Sequence, residues 1–276
     1  MVLRFYPTQD ATLYEQDPTR NTGIDSSLSI SRKQVRELDG SGSWVTNTYD
    51  SRVLLRFDGA HIDSVITELG GGAKYAKLKL YAADINEIPV NFDLHCYALN
   101  IKDYPIWSMG TGRLLNTPAT TNGVSWKYVD DAVTATRWRS GSYSGGETGS
   151  WHTTQGGGTW DFETYATHSF NYRWNDPDFD VFDLFTTLYG GNMNFIVMLD
   201  PSIATTTPIK QLDMFSVDTT TIFSPVLEVG WDDDISSPVL DIVAPTVEAN
   251  VIATNLKPSY AADDIATIRF TQRPRF

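Results

Sequence analysis

Cysteine is almost absent from this chain of 276 residues, and long apolar runs are missing altogether. The one cysteine, Cys96, excludes an internal disulfide, and its strand-like surroundings indicate a buried apolar residue rather than a reactive thiol. No run reaches the ~18 consecutive apolar residues of a membrane-spanning helix, so we expect no membrane insertion. Met1 leads directly into a strand-like sequence, so we also expect no secretory signal peptide.

Basic residues are scarce relative to acidic ones. The chain has 21 Lys and Arg against 34 Asp and Glu, which gives a formal net charge of −13. Such a surface repels phosphate backbones and anionic lipid headgroups. The longest basic run, Ser31–Arg36, is typical of a solvated strand end or loop. We therefore expect no nucleic-acid partner.

Short catalytic signatures are also missing. There is no His-Glu-x-x-His, no Gly-x-Ser-x-Gly, no phosphate-binding loop and no Cys-x-x-Cys. The four histidines, His61, His95, His152 and His168, are scattered, and we expect structural or solvated roles for them. A pair of carboxylates that catalyses glycoside hydrolysis stays an open alternative, because the two residues need to be close only in the folded structure and not in the sequence. The sequence therefore predicts a protein that is not an enzyme.

Alternating apolar residues are abundant. They recur at period 2 in many short runs, which is typical of strands that bury one face. The clearest runs are residues 27–31, 52–57, 76–81, 92–97, 194–199 and 225–231. Glycine-rich and Asn/Asp-rich turns separate them, and one short helix is predicted over residues 181–189. The pattern predicts an all-β protein, a jelly-roll-like β-sandwich with long central loops over residues 107–174 and a small C-terminal β annex.

The domain organisation follows from a break in this pattern after Trp231. We predict a β-sandwich domain over residues 1–231, a linker over 232–238 and the annex over 239–276, with its best strand at Ile265–Phe270. About 40 residues without a disulfide or metal seldom sustain a core of their own. We therefore expect the annex to dock on the main domain or, preferably, on a partner chain. The candidate docking residues are Ile268, Phe270, Arg273, Arg275 and Phe276.

Tryptophans in the loop-rich centre give the main binding signal, because their flat faces stack on sugars and also anchor protein interfaces. Trp126 has a strand-like context and is predicted to be core. Trp151 and Trp160 are flanked by Gly and Thr and are predicted to be exposed. The candidate residues for glycan or protein binding are Trp107, Trp138, Trp151, Trp160 and Trp174.

Three alternating carboxylates, Asp176, Asp178 and Asp180, offer the hard oxygen ligands that calcium prefers. They lack the Gly and terminal Glu of an EF-hand loop. The preferred interpretation is an acidic loop that leads into the short helix, with Asp180 as its cap. We therefore expect no cofactor, with calcium kept as the alternative.

The order of these signals from residue 5 to 231 resembles the DNRLRE family, a group of β-sandwich modules of bacterial surface proteins and carbohydrate-binding modules. The segments that carry the resemblance are Asp10–Tyr14, Asn21–Gly23, Ser27–Ile30, Arg52–Phe57, Ala76–Tyr81, Gly123–Trp126, Phe179–Val181, Asn194–Val197 and Ser224–Val229. The resemblance implies a jelly-roll sandwich that works by adhesion or glycan binding. The chain departs from the family in the absence of a secretion signal, in starting directly at the first strand and in its C-terminal annex.

Those departures favour a bacteriophage protein, since a virion protein is made in the host cytoplasm and released by lysis. We therefore expect a structural subunit of the virion, in the tail, baseplate, collar or fibre, whose partners are other virion proteins and copies of itself. The alternative is a glycan-binding adhesin or receptor-binding module that recognises host surface polysaccharide. A third class, an accessory module of a secreted hydrolase, conflicts with the expected absence of a signal peptide.

Overall fold

The computed structural model consists of two compact units, Met1–Asp233 and Asp234–Phe276, and the division falls inside the predicted linker. It describes residues 2–68, 75–86, 91–99, 107–130, 136–138, 156–171, 176–187, 193–203, 207, 209–230, 249–253 and 270–274. Within these residues no helix is long and apolar enough to cross a membrane.

Strands dominate the described residues, and two helices accompany them. The strands are β1 Val2–Phe5, β2 Gln9–Tyr14, β3 Ser27–Leu38, β4 Trp44–Phe57, β5 Tyr75–Lys79, β6 Ala82–Asn86, β7 Phe92–Leu99, β8 Trp160–Phe170, β9 Asp178–Asp180, β10 Met193–Leu199, β11 Ile209–Phe215, β12 Val226–Gly230, β13 Ala249–Ala253 and β14 Phe270–Pro274. The helices are α1 Gly59–Glu68 and α2 Phe182–Thr187. The all-β prediction is confirmed.

The first unit is built from two antiparallel sheets. The smaller sheet has the strand order β1-β12-β5-β9. The larger has eight strands in the order β6-β11-β3-β4-β10-β7-β8, and β2 pairs with β4 beside this path. Both sheets contribute side chains to one large hydrophobic cluster, as in a β-sandwich.

The main core lies between the two sheets. On β4 it takes Val53, Leu55 and Phe57, and on β10 it takes Phe195 and Val197, so that every second residue points inward. Leu78 of β5 and Leu227 of β12 face them from the smaller sheet. Burial of each such side chain contributes about 1.5–3 kcal/mol.

The opposite face of the large sheet is buried as well. Leu54, Ile196 and Met198 alternate with the core residues on the same strands and belong to a second hydrophobic cluster. An antiparallel sheet commonly leaves one face to water. In this protein the smaller sheet covers one face of the central strands, and the residues of the second cluster cover the other.

Helix α2 lies inside the predicted range, whereas α1 was not predicted. Asp58 caps α1, because its Oδ1 accepts a hydrogen bond from the His61 amide at 3.1 Å and its carbonyl accepts one from Ile62 at 3.1 Å. Ile62 anchors the helix in the main core. The sequence signal that could have revealed α1 was this capping Asp ahead of Ile62.

Strands β3 and β4 are much longer than predicted. Residues 33–38 and 44–49 pair only with each other in the described part of the chain, while β2, β10 and β11 pair with the remainder. These twelve residues form a two-stranded ribbon, closed by the turn at Asp39–Gly42, where Asp39 Oδ1 accepts amide hydrogen bonds from Ser41 and Ser43. The ribbon extends beyond the hydrophobic cores.

The second unit contains the antiparallel pair of β13 and β14, in which Val251 lies opposite Gln272. Of the predicted strand Ile265–Phe270, the described β14 contains only the last residue, because residues 254–269 lie outside the described part.

Candidate functional site

The second hydrophobic cluster contains the described tryptophans from the centre of the chain. On the outer face of the large sheet, the indole ring of Trp160 of β8 is joined by three further indole rings, those of Trp107, Trp126 and Trp138, and by Val124 and Val129. We call these six residues the tryptophan layer. Trp107 Nε1 donates to Asn194 Oδ1 and Trp138 Nε1 to the Ser125 carbonyl, each at 2.9 Å. The layer is therefore a second core rather than a loose set of loops.

This arrangement corrects the predicted binding surface. Trp160, predicted to be exposed, is fully buried, and the candidate binding residues Trp107 and Trp138 are each 1% exposed. None of these three rings can present a face to a sugar or a partner protein. Trp126 is core, as predicted. Trp151 and Trp174 lie outside the described residues.

Asn21 fastens the irregular segment 107–124 to the sandwich. Its side chain is fully buried and donates Nδ2 hydrogen bonds to the carbonyls of Met109 at 2.7 Å and Val124 at 2.8 Å. Its Oδ1 accepts the Gly112 amide at 2.7 Å. The segment around Asn21 thus connects the sandwich to the layer that covers it.

Arg52 is the charged residue beneath the tryptophan layer. Its guanidinium lies 4.5 Å from the ring centroid of Trp126 and 4.9 Å from that of Trp160, and its Nη1 donates to the Gly157 carbonyl at 2.6 Å. Burial lowers the pKa of Arg52 to about 10, while the carboxylates of Asp50 and Glu15 oppose that shift. Arg52 nevertheless stays charged at neutral pH and interacts with both aromatic faces.

A pocket of about 290 Å³ opens beside Arg52, and we call it the base pocket because it lies where the ribbon leaves the sandwich. Its lining residues are Glu15, Arg32, Thr48, Asp50, Ser51, Arg52, Trp160, Met198, Leu199 and Pro201. The charged groups balance, with two carboxylates and two guanidinium groups. Such a mixture of polar side chains and an apolar wall suits a small polar ligand.

The charges of the base pocket are held in fixed positions. Arg32 binds Asp50 in bidentate fashion, with Nε to Oδ1 at 2.7 Å and Nη2 to Oδ2 at 2.8 Å. Its Nη1 donates to the Ile203 carbonyl at 2.8 Å. Glu15 accepts the Asp50 amide at 2.9 Å, and burial raises the pKa of Glu15 above its ordinary value. The pocket is therefore organised in advance of any ligand.

Each carboxylate of the acidic segment Asp176, Asp178 and Asp180 has a partner within the protein. Asp176 Oδ1 accepts the Ala82 amide at 2.9 Å, Asp178 pairs with Lys77 at 3.5 Å, and Asp180 accepts the Phe182 amide at 3.2 Å. Among the described residues no group of three or more acidic, His or Cys side chains is arranged to hold a metal ion. The described residues therefore do not support the calcium alternative for these three carboxylates, which stays a prediction. Asp180 holds the first turn of α2 instead.

The histidines and the cysteine take structural positions where they are described. The His95 ring stacks on Tyr165 at 4.5 Å and its Nδ1 lies 2.9 Å from Tyr97 Oη. Burial lowers the pKa of His95, while Asp200 opposes this. His168 contacts the Asp178 backbone, and Cys96 is wholly buried, so that desolvation raises the pKa of its thiol far above the ordinary value. His152 lies outside the described residues.

The end of the ribbon exposes two large apolar side chains. Leu38 and Trp44 lie opposite each other at its end and are 58% and 60% exposed. The Arg36 guanidinium lies 5.2 Å from the Trp44 ring centroid. We call Arg36, Leu38 and Trp44 the ribbon tip. Sequence reasoning missed it, because the ribbon buries no core and has no apolar alternation to reveal it.

Of the predicted docking residues, Phe270 and Arg273 lie in β14, and Arg273 is opposite Asn250 of β13. Ile268, Arg275 and Phe276 lie outside the described residues.

Comparison with known proteins gives no family for this chain. No protein-family model matches it, and no curated protein matches it either. The resemblance to the DNRLRE family therefore stays a prediction.

Proposed function

We propose that this chain is a non-enzymatic structural subunit of a bacteriophage virion, in the tail, baseplate, collar or fibre, and that it acts through protein–protein contacts. The observation that carries the proposal is the ribbon tip. An arm that leaves a sandwich and ends in an exposed Leu–Trp pair contributes nothing to the core of its own chain. Large aromatic side chains and arginine are the residues on which protein interfaces most depend.

The organisation of the central loops supports the same proposal. Among the described residues the tryptophan layer places Trp107, Trp126, Trp138 and Trp160 in the core, whereas the ribbon contributes no residue to either hydrophobic cluster. The pocket carboxylate Asp50 is held by both of its oxygens in the pair with Arg32, which favours a structural role over acid–base catalysis. We expect other virion proteins and copies of the chain as partners.

The test is to locate the protein in particles. Phage particles are banded by density from a lysate of the source host, then analysed by mass spectrometry and labelled with gold-conjugated antibody against the purified chain. We expect the chain in stoichiometric amount and the label at one defined place. Particles that lack the chain would refute the proposal.

A second candidate function, glycan binding by an adhesin or receptor-binding module, is favoured by one observation, the base pocket. Its planar carboxylate and guanidinium groups are the type of side chain that binds sugar hydroxyl groups. Since Trp160 is core, substitution there would disturb the fold.

The appropriate test of glycan binding is Glu15→Gln, which keeps an acceptor for the Asp50 amide but removes the charge. On an array of bacterial surface polysaccharides the unmodified chain should bind, Glu15→Gln should bind at least roughly tenfold more weakly, and Trp151→Ala tests the predicted exposed tryptophan. If the unmodified chain binds no polysaccharide, this candidate is excluded.

A further inference from the structure

The two sides of strand β4 differ within the ribbon. In an antiparallel pair, the backbone N–H and C=O groups of successive residues point alternately toward the paired strand and away from it. The Asp39 amide donates to the Ser43 carbonyl at 2.9 Å, so Ser43 faces β3, and so does every second residue after it. The backbone groups of Trp44 and Thr46 therefore point to the opposite side, which we call the outer edge of the ribbon.

The backbone of Asp50 follows the same alternation and shows which strand lies along this side of β4. The Asp50 carbonyl accepts a hydrogen bond from the Glu15 amide at 3.0 Å, and the Asp50 amide donates to Glu15 Oε2 at 2.9 Å. Glu15 directly follows β2, which pairs with residues 51–56. Beyond Glu15 the chain turns, and the Arg20 amide donates to the Asp17 carbonyl at 2.9 Å. Among the described residues the outer edge thus continues the line of β2 with no strand paired to it.

The outer edge lacks the devices that keep exposed strands apart. Natural sheets protect such edges with charged residues, with Pro or with bulges. Residues 43–49 contain no charged residue, no Pro and no Gly, and Trp, Val, Thr and Tyr among them favour strands. The pairing of β4 with β3 runs from Arg32 to Leu38 without a register shift, so the ribbon has no bulge there. Because a two-stranded ribbon alone is at best marginally stable in water, a further strand on this edge would stabilise it.

The charge distribution favours a second copy of this chain as the source of that strand. The chain carries a net charge of −13, so two copies repel each other on average. The ribbon departs from this average, because its charged residues are Lys33, Arg36 and Glu37, all on β3. In two ribbons joined through their outer edges, the β3 strands lie three strand spacings apart, about 14 Å. Like charges at that distance are largely screened at physiological salt.

We propose that the outer edges of two copies pair antiparallel about a two-fold axis, which joins the two ribbons into one four-stranded sheet. Residues 43–49 lie between the ribbon turn and Asp50, and their midpoint is Thr46. The axis passes this residue, so that the N–H and C=O of Thr46 bond the C=O and N–H of Thr46 in the second copy. Trp44 lies on the same face of the new sheet, diagonal to Thr46 of the second copy. The inference deepens the proposed function and rests on it only for the setting in which the contact is used.

Proline substitutions at one rung distinguish the two edges of the ribbon. Thr46 and Arg36 lie opposite each other, and the backbone groups of each point away from the other's strand. Thr46→Pro removes the N–H on the outer edge and keeps the hydrogen bonds between β3 and β4. We expect the dissociation constant of the dimer, measured by sedimentation velocity on the full chain, to rise at least roughly tenfold. Arg36→Pro makes the same change on the other edge and should leave the dissociation constant unchanged, and circular dichroism confirms that both variants are folded.

Cysteine cross-linking locates the two-fold axis. The chain has one cysteine, Cys96, which is wholly buried, so an introduced surface thiol can form a disulfide only with its counterpart in another copy. Facing residues of a hydrogen-bonded antiparallel pair have Cα atoms about 5.5 Å apart, which suits a disulfide. Under mild oxidation Thr46→Cys should cross-link at least roughly tenfold faster than Leu115→Cys, because only the first thiol is held beside its counterpart. Leu115 is 90% exposed and serves as the control for random collision.

The outcomes are distinct. A chain that stays monomeric at high concentration overturns the self-pairing and points to a strand of a different protein as the occupant. A dimer that forms equally well with Thr46→Pro overturns the role of the outer edge. If Thr46→Cys cross-links no faster than Leu115→Cys, the two-fold axis at Thr46 is refuted. These results are independent of the particle analysis, because a chain can occur in virions without this contact, and can form this dimer without being a virion protein.

Discussion

Asp10 is a carboxyl group at the edge of the sandwich that is 1% exposed. Its Oδ2 accepts the Val217 amide at 2.6 Å, while its Oδ1 has no hydrogen-bond partner among the described residues. Burial raises the pKa of Asp10 to about 7, although the Val217 amide opposes the shift. In the unfolded chain the same group ionises near its ordinary pKa of about 3.9. Between these values the folded state binds the proton and the unfolded state does not.

Folding stability should therefore fall as the pH rises from about 4 to about 7, by up to about 4 kcal/mol from this residue. We expect Asp10→Asn to remove this contribution while keeping an acceptor for Val217. Urea unfolding of both proteins from pH 4 to pH 8 measures it, and the stability of the variant relative to the unmodified chain should rise with pH. Asp17→Asn, at an exposed position, is the control, and an equal slope in both variants would contradict the prediction.

Asn21 is a second residue whose substitution should have a large effect on the free energy of unfolding. Asn21→Ala leaves two buried carbonyls and one buried amide without the partners described above, and we expect a loss of about 2–5 kcal/mol in the free energy of unfolding. Asn122 is the matched control, since it is exposed and bonds Thr111 through both ends of its amide. Water can replace those bonds, so Asn122→Ala should cost less than about 1 kcal/mol by the same denaturant titration.

At the scale of elements, the segment Gly156–Gly158 determines how closely the loops approach the sheet. All three glycines have positive φ, and at Gly157, with φ of 75°, a Cβ would lie 2.9 Å from the Trp126 ring and also against Arg52 Nη1. We expect Gly157→Ala to destabilise the protein by at least about 2 kcal/mol, from backbone strain together with displacement of Arg52.

Thermal unfolding followed by tryptophan fluorescence measures the effect of Gly157→Ala, because Trp126 and Trp160 flank Arg52. The control is Gly40→Ala in the ribbon turn, where a Cβ would meet nothing within 4 Å. If the two alanine variants melted at the same temperature, the packing role of this segment would be refuted.

The elements that bury a face were predictable, and those that do not were missed. Residues 52–57 alternate because Val53, Leu55 and Phe57 enter the main core, and this signal correctly placed the inner half of β4. The outer half of the same strand contributes no residue to either hydrophobic cluster, so residues 44–50 carry no such pattern. Helix α1 was missed because Ile62 is its only described residue in the main core, too weak a signal for a helical period.

At the scale of the whole molecule, both hydrophobic clusters lie within the unit Met1–Asp233. We expect a chain truncated after Asp233 to keep its strand content in far-ultraviolet circular dichroism and its near-ultraviolet tryptophan signal. A peptide of residues 234–276 is too short for a core of its own, and we expect it to be unfolded alone. Cooperative unfolding of the isolated peptide would contradict this prediction, and so would collapse of the truncated chain.

The tryptophan layer shows why the binding site could not be read from composition. Gly and Thr around Trp160 are typical of an exposed loop, yet here the glycines allow close approach to a sheet. The sequence signal that indicated a buried layer lay in another segment. Residues 195–199 are continuously apolar, which indicates a strand covered on both faces and therefore requires a second apolar layer. Only long-range pairing identifies which residues supply that layer.

Side chains alternate between the two faces of the ribbon, and this alternation determines which changes in ribbon length keep the tip on the same face. Two extra residues in each strand would move Leu38 and Trp44 about 7 Å outward and leave both side chains on the same face. One extra residue in each would rotate the pair to the reverse side. We therefore expect the ribbons of related chains to differ in length by an even number of residues in each strand. The reach of the ribbon then varies between relatives, whereas the side chains at its tip stay on the same face.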